Sequence, residues 1–224
     1  MNKPEFDQFA ENYNEVLADS MPAGLAEDRY FAEYKIQIIA DRLKGRPVKR
    51  ILDYGCGAGR SLVFLKAFFP DAEIWGYDVS GDSLKEAAIA NPDANLHSDL
   101  NAITDGYFDA ILMANVMHHI PLDQRSNAME VCREKLGKDG AMFVFEHNPY
   151  NPLTRHVFER CPFDVDAEML NLRTMVQLAR DSNFSVTRSA YTLFFPKPLK
   201  FLRPAERALQ KLPLGAQYYV QLAR

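Results

Sequence analysis

The segment Arg50-Ile51-Leu52-Asp53-Tyr54-Gly55-Cys56-Gly57-Ala58-Gly59-Arg60 constrains this chain more than any other. Ile51 and Leu52 extend an apolar run that begins at Val48, which reads as a buried strand. Three glycines at alternate positions then let the backbone turn tightly and approach a ligand with no Cβ in the way. Residues 61–69 resume as a helix. A buried strand, a glycine turn and a helix in this order belong to an α/β sheet, which binds nucleotide-like ligands beyond the carboxyl ends of its strands.

The spacing separates two kinds of adenosyl ligand. A dinucleotide site has GxGxxG, whose third glycine brings the helix close to the pyrophosphate. Here Arg60 holds that sixth position, the pattern is GxGxG, and Asp53 stands two residues ahead of the first glycine. A carboxylate there repels pyrophosphate but accepts hydrogen bonds from an ammonium, so a cofactor with an amino-acid tail fits better. These residues resemble the first motif of the class I S-adenosylmethionine-dependent methyltransferases, which reads like Leu52-Asp53-x-Gly55-x-Gly57-x-Gly59.

Further motifs follow in order. Glu73-Ile74-Trp75-Gly76-Tyr77-Asp78 reads as a second strand ending in an acid about twenty residues past the glycine turn, the place of a ribose-binding carboxylate. Residues 95–100 read as a short third strand ending in Asp99, and residues 108–115 as a fourth that leads into Val116-Met117-His118-His119-Ile120-Pro121. The resemblance implies that Asp99 accepts the adenine amino group and that Val79 and Leu100 enclose the ring. It implies a cofactor set of Asp53, Gly55, Gly57, Gly59, Asp78, Val79, Asp99, Leu100 and Asn115 for S-adenosyl-L-methionine. Each element alone has a plainer reading, since a lone strand-end acid is usually solvated. Their conjunction at the ends of successive strands carries the expectation.

At 224 residues the chain suits one α/β domain. We divide it into cap helices over 1–45, a cofactor-binding core over 46–147, and an acceptor side over 148–224 that ends in a strand hairpin. The expected fold is Rossmann-like: a seven-stranded, mostly parallel sheet with a C-terminal antiparallel hairpin and helices on both faces. The net charge of -4 argues against a nucleic-acid partner. Cys56, Cys132 and Cys161 are odd in number and scattered, which supports neither a disulfide framework nor a metal cluster, and no metal is expected. Cys56 suits the glycine turn as a small residue, and Cys132 falls on an apolar helix face. The first residues lack the apolar core of a signal peptide, and no apolar run approaches the roughly twenty residues of a membrane span, so a cytoplasmic protein is expected.

Outside the motifs, Phe6, Phe9, Tyr13, Val16 and Leu17 recur at helical spacing, as do Phe31, Tyr34 and Ile38 after a break at residues 20–24. In the resembling family such helices cover the cofactor, so Tyr13, Arg29 or Tyr30 are candidates to reach it; packing against the sheet is the plainer alternative. A helix is expected over 122–136, stopped by Gly137 and a Lys138-Asp139-Gly140 turn, followed by a fifth strand over 141–146. Residues 166–182 read as a helix with Met169, Leu172, Val176 and Ala179 on one face, and residues 184–194 and 216–222 as the last two strands.

Methyl transfer to a hydroxyl is helped by a base near the ends of the fourth and fifth strands, where His118, His119, Glu146 and His147 lie. Adjacent side chains on a turn point different ways, so at most one of His118 and His119 is expected to face an acceptor, with His118 the first choice. Glu146-His147-Asn148-Pro149-Tyr150-Asn151-Pro152 forms a proline-braced polar loop, whose asparagines either line the acceptor site or satisfy the turn. The insertion over 196–212 carries Lys197, Lys200, Arg203, Arg207 and Lys211 against one acid, Glu206, and its helix from 205 to 212 groups Ala205, Ala208, Leu209 and Leu212. That pattern suits an anionic lipid surface or a short helix docked on its own domain.

The run from Glu146 to Asp166, with Cys161-Pro162-Phe163-Asp164, and the ending Leu212-Pro213-Leu214-Gly215-Ala216-Gln217-Tyr218-Tyr219 resemble a bacterial methyltransferase subgroup associated with cell-surface glycan or lipid biosynthesis. The expected activity is methylation of a small-molecule or lipid-linked acceptor, at a hydroxyl, with peripheral membrane contact through 196–212. The alternatives are a protein that binds S-adenosylmethionine or S-adenosylhomocysteine without catalysis and, ranked lower, an NAD-dependent oxidoreductase.

Overall fold

A computed structural model describes residues 28–224. The first expected helix, with Phe6, Phe9, Tyr13, Val16 and Leu17, and the break at 20–24 lie outside the described residues. The strands are β1 (Arg50–Tyr54), β2 (Glu73–Tyr77), β3 (Asn95–His97), β4 (Phe108–Ala114), β5 (Leu136–His147), β6 (Ser185–Thr192) and β7 (Gln217–Ala223). They form one seven-stranded sheet in the order β3-β2-β1-β4-β5-β7-β6. Neighbours from β3 to β5 pair in parallel, while β7 runs antiparallel to both β5 and β6. This is the expected Rossmann-like sheet with its closing antiparallel pair.

The helices are α1 (Asp28–Leu43), α2 (Leu62–Phe68), α3 (Gly81–Ala90), α4 (Arg125–Lys135), α5 (Pro152–Phe158), α6 (Leu172–Asp181) and α7 (Glu206–Leu209). Period-two alternation sorts the strand side chains between two cores. Leu52, Ile111, Met142, Val144 and Tyr218 pack against Met129 and Cys132 of α4 and Met175 and Ala179 of α6. Ile51, Ile74, Leu112, Phe143 and Phe145 pack against Ile36, Ile39 and Leu43 of α1 and Leu62 and Leu65 of α2. From the central pair β1 and β4 the strand order runs outward in both directions, which opens a crevice beyond their carboxyl ends.

Four expected boundaries or faces shift, each for a physical reason. The turn expected at 137–140 is the start of β5: Leu136 pairs with Phe108 and Ala141 with Ala110, so a bulge absorbs the extra residues. Leu136 is fully buried and draws the chain into the sheet. The helix expected from 166 begins only at Leu172, because the Asn171 side chain accepts from the Thr174 amide and caps it there. Met169 therefore lies outside it. On α1 the buried side carries Lys35, Ile36, Ile39 and Leu43, with Phe31, Tyr34 and Ile38 only half-buried beside it. The helix expected over 205–212 is a 3₁₀ segment, Lys197–Ala205, leading into the single turn of α7.

That last difference has one cause, the buried carboxylate of Glu206. It accepts from the amides of Leu193, Phe194 and Phe195 at 3.2, 3.1 and 3.3 Å, and from the Tyr34 hydroxyl of α1 at 3.1 Å. Ala205, Ala208 and Leu212 are exposed, so the face expected to turn inward does not. Arg203 lies 3.6 Å over the Tyr30 ring and Arg29 lies 5.5 Å from the Phe64 ring centre. In the described structure Arg29 thus meets α2 and Tyr30 the basic insertion.

Glu206→Ala strips an acceptor from three backbone amides and a hydroxyl, and is expected to cost about 3 kcal/mol in urea unfolding. Arg207→Ala removes only an exposed ion pair with Asp41 at 3.6 Å and should stay within about 0.5 kcal/mol of the parent. Equal effects would show that Glu206 does not hold the insertion.

Candidate active site

The cofactor-side candidates gather at the carboxyl ends of β1, β2 and β3. Gly55 has φ of +78°, and a Cβ there would meet Val116 Cγ2 at 2.4 Å, so only glycine fits between the β1 turn and the segment after β4. Gly57, at φ +51°, donates its amide to Asp78 Oδ2 at 2.8 Å and has no atom within 4 Å on the side where a Cβ would point. Its open side is the space a ligand needs to reach the backbone. The Gly59 carbonyl accepts from the Asn91 side chain at 3.1 Å, which ties the turn to the end of α3.

Asp78 also accepts from the Ser80 amide at 2.9 Å. It therefore shapes the glycine turn as well as presenting a carboxylate at the tip of β2. Val79 is 60% exposed, an apolar side chain left in solvent beside that carboxylate, whereas Leu100 is buried in the core. Asp99 is exposed and accepts from the Asn101 amide at 2.8 Å; β3 ends at His97, two residues short of it. Asn115, at φ +58°, accepts from the Gln217 side chain at 3.2 Å.

Asp53 is 2% exposed at the end of β1. Burial, reinforced by Asp78, pushes its carboxyl up to about 7, and the Lys35 ammonium opposes that rise. Burial in turn pulls Lys35 down to about 8, against the attraction of Glu146 and Asp53. Lys35 is a residue that reading the sequence missed. Its signal was a lysine directly before Ile36 in an apolar helix segment, which simple amphipathic spacing assigns to solvent. Cys56 is buried, and burial followed by Asp53 and Asp78 raises its thiol far above the usual range, so it is no nucleophile here.

The acceptor-side candidates converge around Glu146, which is fully buried. Its Oε1 accepts from the Met117 amide at 2.8 Å and its Oε2 lies 2.6 Å from His118 Nδ1. His118 and His119 sit on a 3₁₀ turn, Met117–His119, with ring centres 4.1 Å apart. Contrary to the expectation that adjacent side chains diverge, both rings reach one carboxylate. Asp164 Oδ1 is 3.5 Å from His118 Nε2 and 3.4 Å from His119 Nε2. The tight 3₁₀ turn and the return of the chain through Pro162–Asp164 bring them together. The His147 ring lies 5.2 Å from that of His118 and 6.0 Å from that of Phe158.

Charge settles unequally over this cluster. Burial alone pulls His118 down, but Glu146 and Asp164 outweigh it and carry the imidazole up to about 9. Burial pushes Glu146 up, yet the His118 charge overrides it and holds the carboxyl at about 2. Asp164 is lowered as well, burial being outweighed by His118. Burial and the positive His118 bring both His119 and His147 down to about 4, leaving them neutral.

The loop asparagines take the plainer of their two readings. Asn148 is buried, donates to the carbonyls of Pro213 and Gly215, and accepts from the Tyr150 amide, while Asn151 caps α5 by accepting from the Thr154 amide. Asp164 is not among the site candidates of the sequence because it lies some distance along the chain from the strand tips, although Cys161-Pro162-Phe163-Asp164 helps carry the subgroup resemblance.

Glu146→Gln keeps the shape but breaks the buried pair, at an expected cost of about 3 kcal/mol. His118, raised from 6.5, contributes its stability in full below that value and loses it as pH climbs through about 9. Glu146, lowered from 4.5, contributes above that value and loses it as pH falls through about 2. The gap between parent and variant should be widest between 4.5 and 6.5 and narrow on the alkaline side. Urea unfolding across that range reads it directly, and a pH-independent gap would refute the charged pair.

The chain matches the family described as Methyltransferase domain over residues 26–189. A curated relative, an uncharacterized protein of Synechococcus sp., is 31% identical over 113 residues, covering 45% of this chain and 25% of the relative. The chain spans a quarter or less of the length of the curated relatives it matches. Among solved structures, a SAM-dependent methyltransferase from Archaeoglobus fulgidus superposes with a TM-score of 0.68 at 16% identity, over 88% of this chain and 94% of that one. Magnesium protoporphyrin IX methyltransferase from Synechocystis PCC 6803, solved with bound SAH, superposes with a TM-score of 0.64 at 16% identity, over 97% of both chains. At such identities the structural likeness speaks for the fold, and the domain match, which takes in the glycine turn and both histidines, speaks for the family. The chain belongs to the methyltransferase domain family and has the fold of the S-adenosylmethionine-dependent methyltransferases on which it superposes.

Proposed function

We propose that this chain transfers a methyl group from S-adenosylmethionine to a hydroxyl of a small-molecule or lipid-linked acceptor. The observation that carries the reading is a glycine turn flanked by Asp53 and Asp78 next to a neutral histidine at the neighbouring strand tips. The cofactor side fits an adenosyl amino acid. The open side of Gly57 admits a ligand to the backbone, Val79 offers an apolar surface for a ring, and Asp78 stands at a ribose position. Asp53 suits the ammonium of the amino-acid tail and Lys35 its carboxylate. Gly55 and Gly59 shape the turn, and Asp99, Leu100 and Asn115 complete the adenine and tail edges of the proposed site.

When bound, S-adenosylmethionine would supply an activated methyl group: the acceptor oxygen bonds to the methyl carbon in line as the carbon–sulfur bond breaks, its electron pair goes to sulfur, and the hydroxyl proton goes to a base. Among the four acceptor-side candidates we favour His147 as the base. His118 is already protonated between two carboxylates, and Glu146 has no exposed surface and both oxygens engaged, by the Met117 amide and by His118. His147 is neutral, only half-buried and at the tip of β5, so a ring nitrogen can take the hydroxyl proton. The Glu146–His118 pair acts as a positioning element, and burial together with the neighbouring positive charge keeps His147 unprotonated. His119, beside Asp164, is the second candidate.

The lipid-linked reading rests on exposed apolar side chains among cations near the acceptor end: Leu199, Phe201 and Leu202 beside Lys197 and Lys200. No helix among the described residues is long and apolar enough to cross a membrane.

Asp53→Asn tests the cofactor side. Calorimetric titration with S-adenosylhomocysteine should show affinity about 10- to 100-fold weaker. The unfolding midpoint at neutral pH should hold or rise, because an unfavourable buried charge is removed; unaltered affinity would sink the assignment. His147→Ala should lower turnover of a methylated acceptor about 100-fold or more.

A further inference from the structure

We propose that His118, His119 and Asp164 bind a divalent first-row metal ion of the zinc class on the acceptor side of the site. One ligand atom from each of the three residues lies within 4.8 Å of the other two. The Nε2 atoms of His118 and His119 stand 3.5 and 3.4 Å from Asp164 Oδ1. Those separations are long for a charge-assisted hydrogen bond, which closes to about 2.7–2.9 Å. They match the edge of a tetrahedron around an ion with bonds of about 2.0–2.2 Å, roughly 3.3–3.6 Å.

The surroundings are those of a metal site. Glu146 Oε2 sits 2.6 Å from His118 Nδ1, the outer carboxylate that a ligating histidine characteristically engages, and it leaves Nε2 turned toward Asp164. The backbone is held at both sides of the trio. The His118 carbonyl accepts from the Glu168 amide at 2.9 Å, and the Asp164 amide donates to the Cys161 carbonyl at 3.1 Å. Two imidazoles and one carboxylate suit zinc and its first-row neighbours, with the ion displacing the proton that His118 Nε2 carries in its absence, and three protein ligands leave a coordination position for water or a substrate oxygen. Ion binding stands independently of the methyl-transfer reading; only the assignment of the open position to the acceptor hydroxyl, whose acidity the ion would raise, rests on it.

The experiment uses the untagged chain, stripped with a chelator and titrated with Co²⁺ as a visible-band probe, then with Zn²⁺ in competition. One ion per chain, bound at micromolar or lower concentration, is the expected result. His119→Ala and Asp164→Asn should each weaken binding about 100-fold or more, and Glu146→Gln about 10- to 100-fold. His156→Ala, at an exposed histidine elsewhere, should change nothing. Circular dichroism and S-adenosylhomocysteine affinity of the two ligand variants report that the fold persists. Failure to bind either ion below about 100 μM overturns the site, as does binding equally tight in both ligand variants. Metal binding without S-adenosylhomocysteine binding supports the site while counting against the methyltransferase reading.

Discussion

A carboxylate with no exposed surface needs partners for its charge, and the acceptor side is organised by how Glu146 finds them. One oxygen takes the Met117 amide and the other meets His118. Those contacts hold the turn after β4 against the tip of β5, so the two strand ends act as one surface. Burial, reinforced by the charge they stabilise on His118, keeps His119 and His147 neutral. Replacement of such a pair by apolar side chains often costs a protein nothing, which makes specificity of arrangement the better explanation for its presence here. What Glu146 secures is a defined orientation for three histidine rings.

The cofactor side follows a different logic. Asp53 and Asp78 place like charges near one another, and Lys35 opposes the effect on Asp53. Asp53 consequently holds its proton near neutrality, an unfavourable arrangement that a ligand ammonium would relieve. Stored strain of this electrostatic kind is the usual mark of a binding site rather than of a stabilising network. The same economy appears in Asp78, whose hydrogen bonds to Gly57 and Ser80 make the shape of the turn and its charge depend on one side chain.

Much of this was legible in the linear sequence because the relevant signals are local. The glycine spacing, the acids at Asp53 and Asp78, and the double histidine are each set within a few residues of a strand end, where the fold repeats its geometry. The features that escaped depend on distant partners. Lys35 is buried because β1 and β5 offer it carboxylates, and Asp164 matters because a later segment folds back onto the histidines. The α6 boundary moved for a local reason of a different kind: the Asn171 cap outweighs the apolar periodicity that runs through Met169. Glu206 shows the limit of helical-wheel reasoning, since the one acid in a basic stretch turned inward and its apolar neighbours turned out.

Glu206 has a mechanical consequence as well. By accepting from the end of β6 and from Tyr34 of α1, which lies 172 residues before it in the chain, it ties these segments together beside the sheet. The helix α1 cannot swing away on its own, for that motion would bare a buried acid and strand Lys35 from its carboxylates. Motion at this edge of the domain is therefore expected to carry α1 and the basic insertion together.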